Sequence, residues 1–168
     1  MRKKQERLYI AYGSNLNLEQ MAKRCPTARI VGSGLLRGWR LMFRGRQDSA
    51  VATVERAGGS TVPVLVWRLH PLDERALDRY EAYPMLYRKE TLRLTVNGKR
   101  IYAMIYIMNE DGHPYGTPSA YYLNTIYSGY KSAGFDTQIL CQAVINSQEE
   151  SQESGTSVTK YSVDHLGC

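Results

Sequence analysis

Two stretches of this chain hold residues whose types and spacing could do chemistry. The first is Tyr12-Gly13-Ser14-Asn15-Leu16. It follows a short apolar run, residues 8–12, and leads within a few residues into helical spacing. A strand passing through a small-residue loop into a helix N-terminus aims several backbone N–H groups, and the positive end of a helix dipole, at one place. That place suits a carboxylate, a phosphate or a developing oxyanion. Gly13 lets a ligand approach the backbone closely, and Ser14 and Asn15 add side-chain hydrogen bonds. Asn17 with Gln20 three residues later reads as a capping box that starts the helix. The ordinary alternative is a strand–turn–helix corner made of common turn residues, and local composition alone favours it.

The second stretch surrounds Glu81, at the C-terminal end of a helical pattern over residues 72–81. Its neighbours are Tyr80, Ala82, Tyr83 and Pro84. A carboxylate there meets the negative end of the helix dipole, and tyrosine and proline exclude water. Both effects disfavour ionisation and raise the pKa toward the range useful for general acid–base work. Taken alone, Glu81 reads more simply as a solvated glutamate at a helix end. The other titratable candidates are few. His70 and His113 adjoin prolines in turn-like segments and His165 lies near the C-terminus. No Ser-His-Asp or Cys-His arrangement is suggested, and no cluster has metal-ligand spacing, so neither metal nor cofactor is expected.

The elements that must position these residues follow from periodicity. Helical spacing over residues 16–25 turns Leu16, Met21 and Leu18 inward, ending at Cys25-Pro26. Residues 28–34 and 35–44 predict two strands or one bent strand, with Gly32, Gly34 and Gly38 at bulges or corners. Residues 49–55 form another strand, 56–60 a turn, and 62–69 a strand whose Pro63 demands an edge or start position. Over 72–81 the apolar set is Leu72, Ala76, Leu77 and Tyr80, with Pro71 in the first turn. Residues 87–96 and 100–108 are strands joined by Asn97-Gly98, a strong hairpin signal. Helices are expected over 119–133, capped by Ser119, and over 135–146. The fold class predicted is α+β: a small mixed or antiparallel β-barrel flanked by short helices. Residues 1–147 form one domain, and 148–168, polar with almost nothing to bury, form a disordered tail.

Composition bounds the partners. The 168 residues include 13 Tyr against 2 Phe and 2 Trp, and tyrosine suits half-buried positions and cavity walls. Net charge is +6. Residues 148–168 hold four acids and one base, leaving 21 of the 22 bases and 12 of the 16 acids, a charge of +9, on the rest. These bases are scattered, so general anion attraction or solubility explains them better than nucleic-acid binding, and no nucleic-acid partner is expected. No long apolar span marks a membrane helix, and the charged first residues lack an apolar segment behind them. Cys25, Cys141 and Cys168, an odd number without metal spacing, are expected as free thiols in a reducing cytoplasm. Oligomeric state is not legible.

The segments AYGSNLN (11–17), SAVATVE (49–55), VPVLVWRL (62–69), LDRYEAYPMLYRK (77–89) and PSAYYLNTIYSGY (118–130) resemble, in order and spacing, the γ-glutamylcyclotransferase-like family. The resemblance spans about residues 8–133. It implies a small mixed barrel flanked by helices. Tyr12, Gly13, Ser14, Asn15 and Leu16 would line a pocket for a γ-glutamyl group, Glu81 would be the general acid/base, and Tyr122 would stand beside the site. The implied reaction needs no cofactor: the α-amine of a γ-glutamyl group attacks its own γ-carbonyl and releases 5-oxoproline and an amine. The contrasting reading is a binding protein that keeps the cavity and does no chemistry; Glu81 favours the enzyme.

Overall fold

Strand-forming runs and the Asn97-Gly98 turn build one mixed five-stranded sheet. The computed structural model describes residues 5–154. In chain order the elements are β1 (Arg7–Ala11), α1 (Leu18–Arg24), β2 (Arg29–Arg44), β3 (Val51–Leu69), α2 (Pro71–Tyr80), β4 (Tyr87–Val96), β5 (Lys99–Met108), α3 (Ala120–Ala133) and α4 (Thr137–Glu153). The sheet order is β2-β3-β1-β5-β4. β1 pairs antiparallel with β3 and parallel with β5, and the hairpins β2–β3 and β4–β5 are antiparallel.

The long hairpin differs from expectation in detail. Residues 29–44 are one strand, bent by register shifts after Ile30 and at Gly38, whose φ is +80°. The expected turn over 56–60 lies inside β3, where residues 57–60 stand opposite Gly38 alone. Pro63 sits beyond Leu65, the last β3 residue that β1 pairs. One side of β3 is therefore an edge there, which a residue lacking N–H requires. At Asn97 and Gly98 φ is 51° and 74°, as the two-residue hairpin turn demands.

The sheet curls until its two edge strands touch. A Cβ on Gly32 would fall 2.8 Å from Val96 Cγ1, and one on Gly34 would fall 3.1 Å from the Thr95 carbonyl oxygen. The Asn97 amide donates to the Val31 carbonyl at 3.1 Å. β2 and β4 share no ladder, so the expected barrel is an open sheet rolled into barrel-like form.

Helix ends follow local chemistry. Pro71 opens α2; the His70 ring accepts from Leu72 N–H at 3.3 Å, and Asp73 reaches back to His70 N–H at 3.1 Å. Leu72 and Leu18, expected inward, are exposed. The buried first-turn residue of α2 is Asp73, whose carboxylate also accepts from Thr27 Oγ1 at 2.5 Å. Ser119 caps α3 and Gly134 ends it in left-handed conformation.

The domain boundary needs correction. α4 continues past residue 147 to Glu153, with Ser147 and Ser151 buried. Ser147 Oγ accepts from the Phe43 N–H at 2.8 Å, and Glu150 pairs with Arg40 at 3.5 Å. Serines facing the core hid this packing from a search for apolar periodicity. The remainder of the expected tail, 155–168, lies outside the described residues, as do His165 and Cys168. Cys25 is a buried free thiol, but Cys141 is disulfide-bonded and departs from the expectation.

Candidate active site

β1 is short, and the site is the space left where it stops. Past Ala11, the first residues of β3 and the last of β5 face one another without a strand between them. Side chains satisfy the backbone there instead. Met108 N–H donates to Thr53 Oγ1 at 3.1 Å, and Ala52 N–H donates to the Tyr122 hydroxyl at 3.0 Å. The Tyr87 hydroxyl donates to the Ala52 carbonyl at 2.5 Å, and the Tyr12 hydroxyl to the Tyr106 carbonyl at 2.6 Å. A cavity of about 240 Å³ remains, walled by six tyrosines (Tyr9, Tyr12, Tyr80, Tyr87, Tyr106 and Tyr122), by Val51, Ala52 and Leu86, and by the loop Gly13-Ser14-Asn15. Glu81 is the one carboxyl in its wall.

The loop leaves β1 at Tyr12 and makes a single 3-10 turn over Ser14–Leu16. Leu16 and Asn17 N–H bond back to the Gly13 and Ser14 carbonyls, both at 3.0 Å. The N–H groups of Ser14 and Asn15 precede those bonds, so the turn itself does not use them. Gly13 has a φ of −123° and a ψ of −128°. Its reason is proximity: a Cβ there would lie 3.2 Å from Ala52 Cβ. Ser14 Oγ shares a 2.8 Å hydrogen bond with the Tyr80 hydroxyl, and Asn15 Nδ2 donates to Tyr9 Oη at 2.9 Å and to Glu81 Oε1 at 3.4 Å.

Leu16, expected in the pocket, does not line it. It is fully buried under α3, where a Cβ on Gly129 would fall 2.6 Å from Leu16 Cβ. The expected helix N-terminus also faces elsewhere. Asn17 does cap α1, accepting from Gln20 N–H at 3.0 Å, but its amide donates to the Thr125 carbonyl, and Gln20 accepts from Arg24 rather than closing the box. It is the last residue of α1, Arg24, that reaches the loop: it donates to Asn15 Oδ1, and its guanidinium lies 3.5 Å from the Tyr80 ring centroid.

Glu81 is the C-cap of α2. Ala82 follows with φ 47°, and Tyr83 N–H closes on the Asp78 carbonyl at 2.9 Å while Ala82 N–H bonds Arg79 at 3.2 Å. This is a Schellman ending with alanine in the usual glycine position. It turns the chain sharply and leaves Glu81 facing the cavity. Burial pushes the Glu81 carboxyl up to about 7, against the opposing pull of Arg24. The direction is the one expected from the sequence; beside the adjacent Tyr80, the groups that exclude water come from β1, β4, β5 and α3. Burial, reinforced by Glu81, pushes the hydroxyls of Tyr9, Tyr12, Tyr87 and Tyr122 above the ordinary phenol range, so they stay protonated.

Thus Tyr12, Gly13, Ser14, Asn15, Glu81 and Tyr122 come together, and Leu16 does not. Sequence reasoning missed Tyr9, Tyr87, Tyr106 and Arg24, the excess of tyrosine being the only signal for the first three; Tyr80 was read as a shield beside Glu81 but not as part of a cavity wall. His70 caps a helix and His113 bonds the Asn109 carbonyl, and neither lines the cavity. Among the described residues no group of three His, Cys, Asp or Glu could hold a metal ion.

A family model described as "Gamma-glutamyl cyclotransferase, AIG2-like" matches residues 9–124. The chain belongs to that family. Every residue of the cavity wall falls inside the matched segment. Among curated relatives, the gamma-glutamylcyclotransferase of Homo sapiens is 31% identical over 137 residues, covering 76% of this chain and 71% of the human protein. That of Bos taurus is 30% identical over 158 residues, covering 88% and 81%. A solved structure of a gamma-glutamyl cyclotransferase superposes with a TM-score of 0.72 at 22% identity, over 97% of this chain and 96% of the other, and so shares the fold. As a member of the AIG2-like gamma-glutamyl cyclotransferases, the chain places its loop, its tyrosines and its carboxyl around one cavity.

Proposed function

We propose that this chain is a γ-glutamylcyclotransferase acting on a small γ-glutamyl compound. The observation that carries the reading is a single carboxyl, Glu81, held near neutrality in a tyrosine-walled cavity beside the Gly13-Ser14-Asn15 turn. The nucleophile, the substrate's α-amine, is tethered to the carbonyl it attacks, so ring closure loses little translational freedom. The protein's part is to move protons and to hold charge. Ionised Glu81 takes a proton from the α-ammonium. The freed amine forms the new C–N bond at the γ-carbonyl, whose oxygen becomes an oxyanion. Glu81 then returns that proton to the departing amine as the oxyanion collapses and the old C–N bond breaks, and the second proton of the attacking nitrogen passes through the same carboxylate to the released amine, leaving 5-oxoproline and a protonated amine. The Ser14 and Asn15 N–H groups and the Tyr122 hydroxyl are donors within the wall for the substrate carboxylate and the oxyanion; Tyr122 accepts from Ala52 N–H and keeps its own proton to give. Leu16 acts in this reading by packing beneath the loop. A cytoplasmic location is part of the proposal, on the buried free thiol of Cys25 and against the disulfide at Cys141; cell fractionation tests it.

The test is incubation with a panel of γ-glutamyl amino acids and amines, following 5-oxoproline and amine release together. Equal amounts of both are expected, and none from a substrate whose α-amine is acetylated. Free glutamate in place of 5-oxoproline would mean that water attacks. Binding of the panel without any turnover would make the chain a binding protein with this cavity.

A further inference from the structure

The guanidinium of Arg24 is half-buried and engaged on three sides. One nitrogen donates to Asn15 Oδ1, another to Gln20 Oε1 at 3.1 Å, and the plane stacks on Tyr80, whose hydroxyl meets Ser14 Oγ at 2.8 Å. Asn15 is buried, and both hydrogens of its amide nitrogen are used, one toward Tyr9 Oη at 2.9 Å and one toward Glu81 Oε1 at 3.4 Å. A side-chain amide can turn over. Turned over here, it would set Oδ1 against the Glu81 carboxylate and an NH2 against a guanidinium, so the Arg24 donor selects one orientation.

We propose that Arg24 is a positioning residue: it clamps the Asn15 amide with its NH2 edge toward Glu81 and supplies the fixed positive charge that bears on that carboxyl. The groups facing Glu81 from the other elements are phenols: Tyr9 of β1, Tyr12 after it, Tyr80 of α2, Tyr87 of β4, Tyr106 of β5 and Tyr122 of α3. Asp78 and Lys89, beyond the Tyr106 hydroxyl, pair with each other at 2.8 Å. Arg24 opposes the rise that burial imposes on Glu81, which keeps the base form available near neutral pH. Arginine is suited to this where lysine is not, because only a planar fork donates in two directions while stacking on a ring.

The kinetic part rests on Glu81 being the acid–base group, so the experiment has a second arm that does not need turnover. Wild type, Arg24→Gln and Arg24→Lys are compared in kcat/KM against pH and in the 13C titration of the Glu81 side-chain carbonyl, assigned by its absence in Glu81→Gln. In Arg24→Gln the acid limb and the carbonyl midpoint both move up by about one pH unit, so kcat/KM below the limb falls about tenfold. In Arg24→Lys the midpoint stays close to wild type because the charge remains, while kcat falls because the Asn15 clamp is lost. A folded Arg24→Gln with the wild-type midpoint overturns the proposal. Should Arg24→Gln fail to fold, Arg24→Lys decides alone: wild-type kcat there overturns the clamp. A carbonyl midpoint that follows Arg24 in an enzyme whose Glu81→Gln variant still turns over supports the coupling and removes only the catalytic reading of Glu81.

Discussion

Glu81→Gln separates chemistry from folding. The amide keeps the size and the helix-end position but cannot carry a proton, so turnover should fall by roughly 10²–10⁴-fold while a γ-glutamyl ligand still binds. Stability should move the other way, and the sign follows from the direction of the shift. The folded-state pKa of Glu81, about 7, is above its ordinary 4.5, so the fold prefers the neutral carboxyl. That preference contributes stability in full below the ordinary value and is lost as pH rises through 7. Glutamine stays neutral throughout. Urea melts at about pH 8 should therefore find Glu81→Gln more stable than wild type, with the gap closing toward about pH 4. A variant less stable than wild type at the higher pH would make Glu81 a structural partner. Little of this was legible beforehand. The glutamate and the direction of its shift could be read from its neighbours in sequence. The depth of its burial could not, because four of the six wall tyrosines, Tyr9, Tyr12, Tyr106 and Tyr122, lie far away along the chain.

At the level of elements, two contacts set the geometry. Ala82 holds a left-handed conformation so that α2 can end at Glu81. Ala82→Gly relieves the steric cost of that conformation, about 1 kcal/mol, partly offset by glycine's greater freedom when unfolded. A small net gain in the midpoint of urea unfolding, with kcat unchanged, is the expected outcome. Gly129 is the opposite case. An added Cβ would stand 2.7 Å from the Leu16 carbonyl carbon and 2.9 Å from the Asn17 nitrogen, both backbone. Gly129→Ala must lift α3 from the loop, costing about 1–3 kcal/mol, and kcat/KM should fall with it; equal stability would mean that the contact yields. Periodicity revealed the helices themselves: α3, its Ser119 cap and the Pro71 start of α2 were all readable. Their docking was not, since a close approach leaves in the sequence only one glycine among fourteen.

For the molecule as a whole, the β4–β5 hairpin and its Asn97-Gly98 turn could be read from alternation and turn chemistry, whereas the long β2–β3 hairpin read as several shorter strands. The order of strands could not, because β1 is inserted between β3 and β5 from the far end of the chain. The C-terminal boundary was misread where serines, not leucines, face inward. Ending the chain at Ser147 removes the buried Ser151 and the Arg40–Glu150 pair. Thermal melting of that truncation should fall below that of a chain ending at Ser154; equal melting would mean that the last turns of α4 contribute nothing. The tyrosine hydroxyls that stand in for a missing strand have a further consequence. Ala52 N–H is held by the Tyr122 hydroxyl of α3, so this sheet amide is guarded by a helix. In hydrogen exchange its proton should trade with solvent as slowly as those of the inner ladder, and should be released at the free energy that undocks α3 rather than at that of fraying. Tyr122→Phe should expose that one amide while its neighbours in β3 stay protected. A single backbone proton would then count how often the helix leaves the sheet, and so how often the cavity stands open.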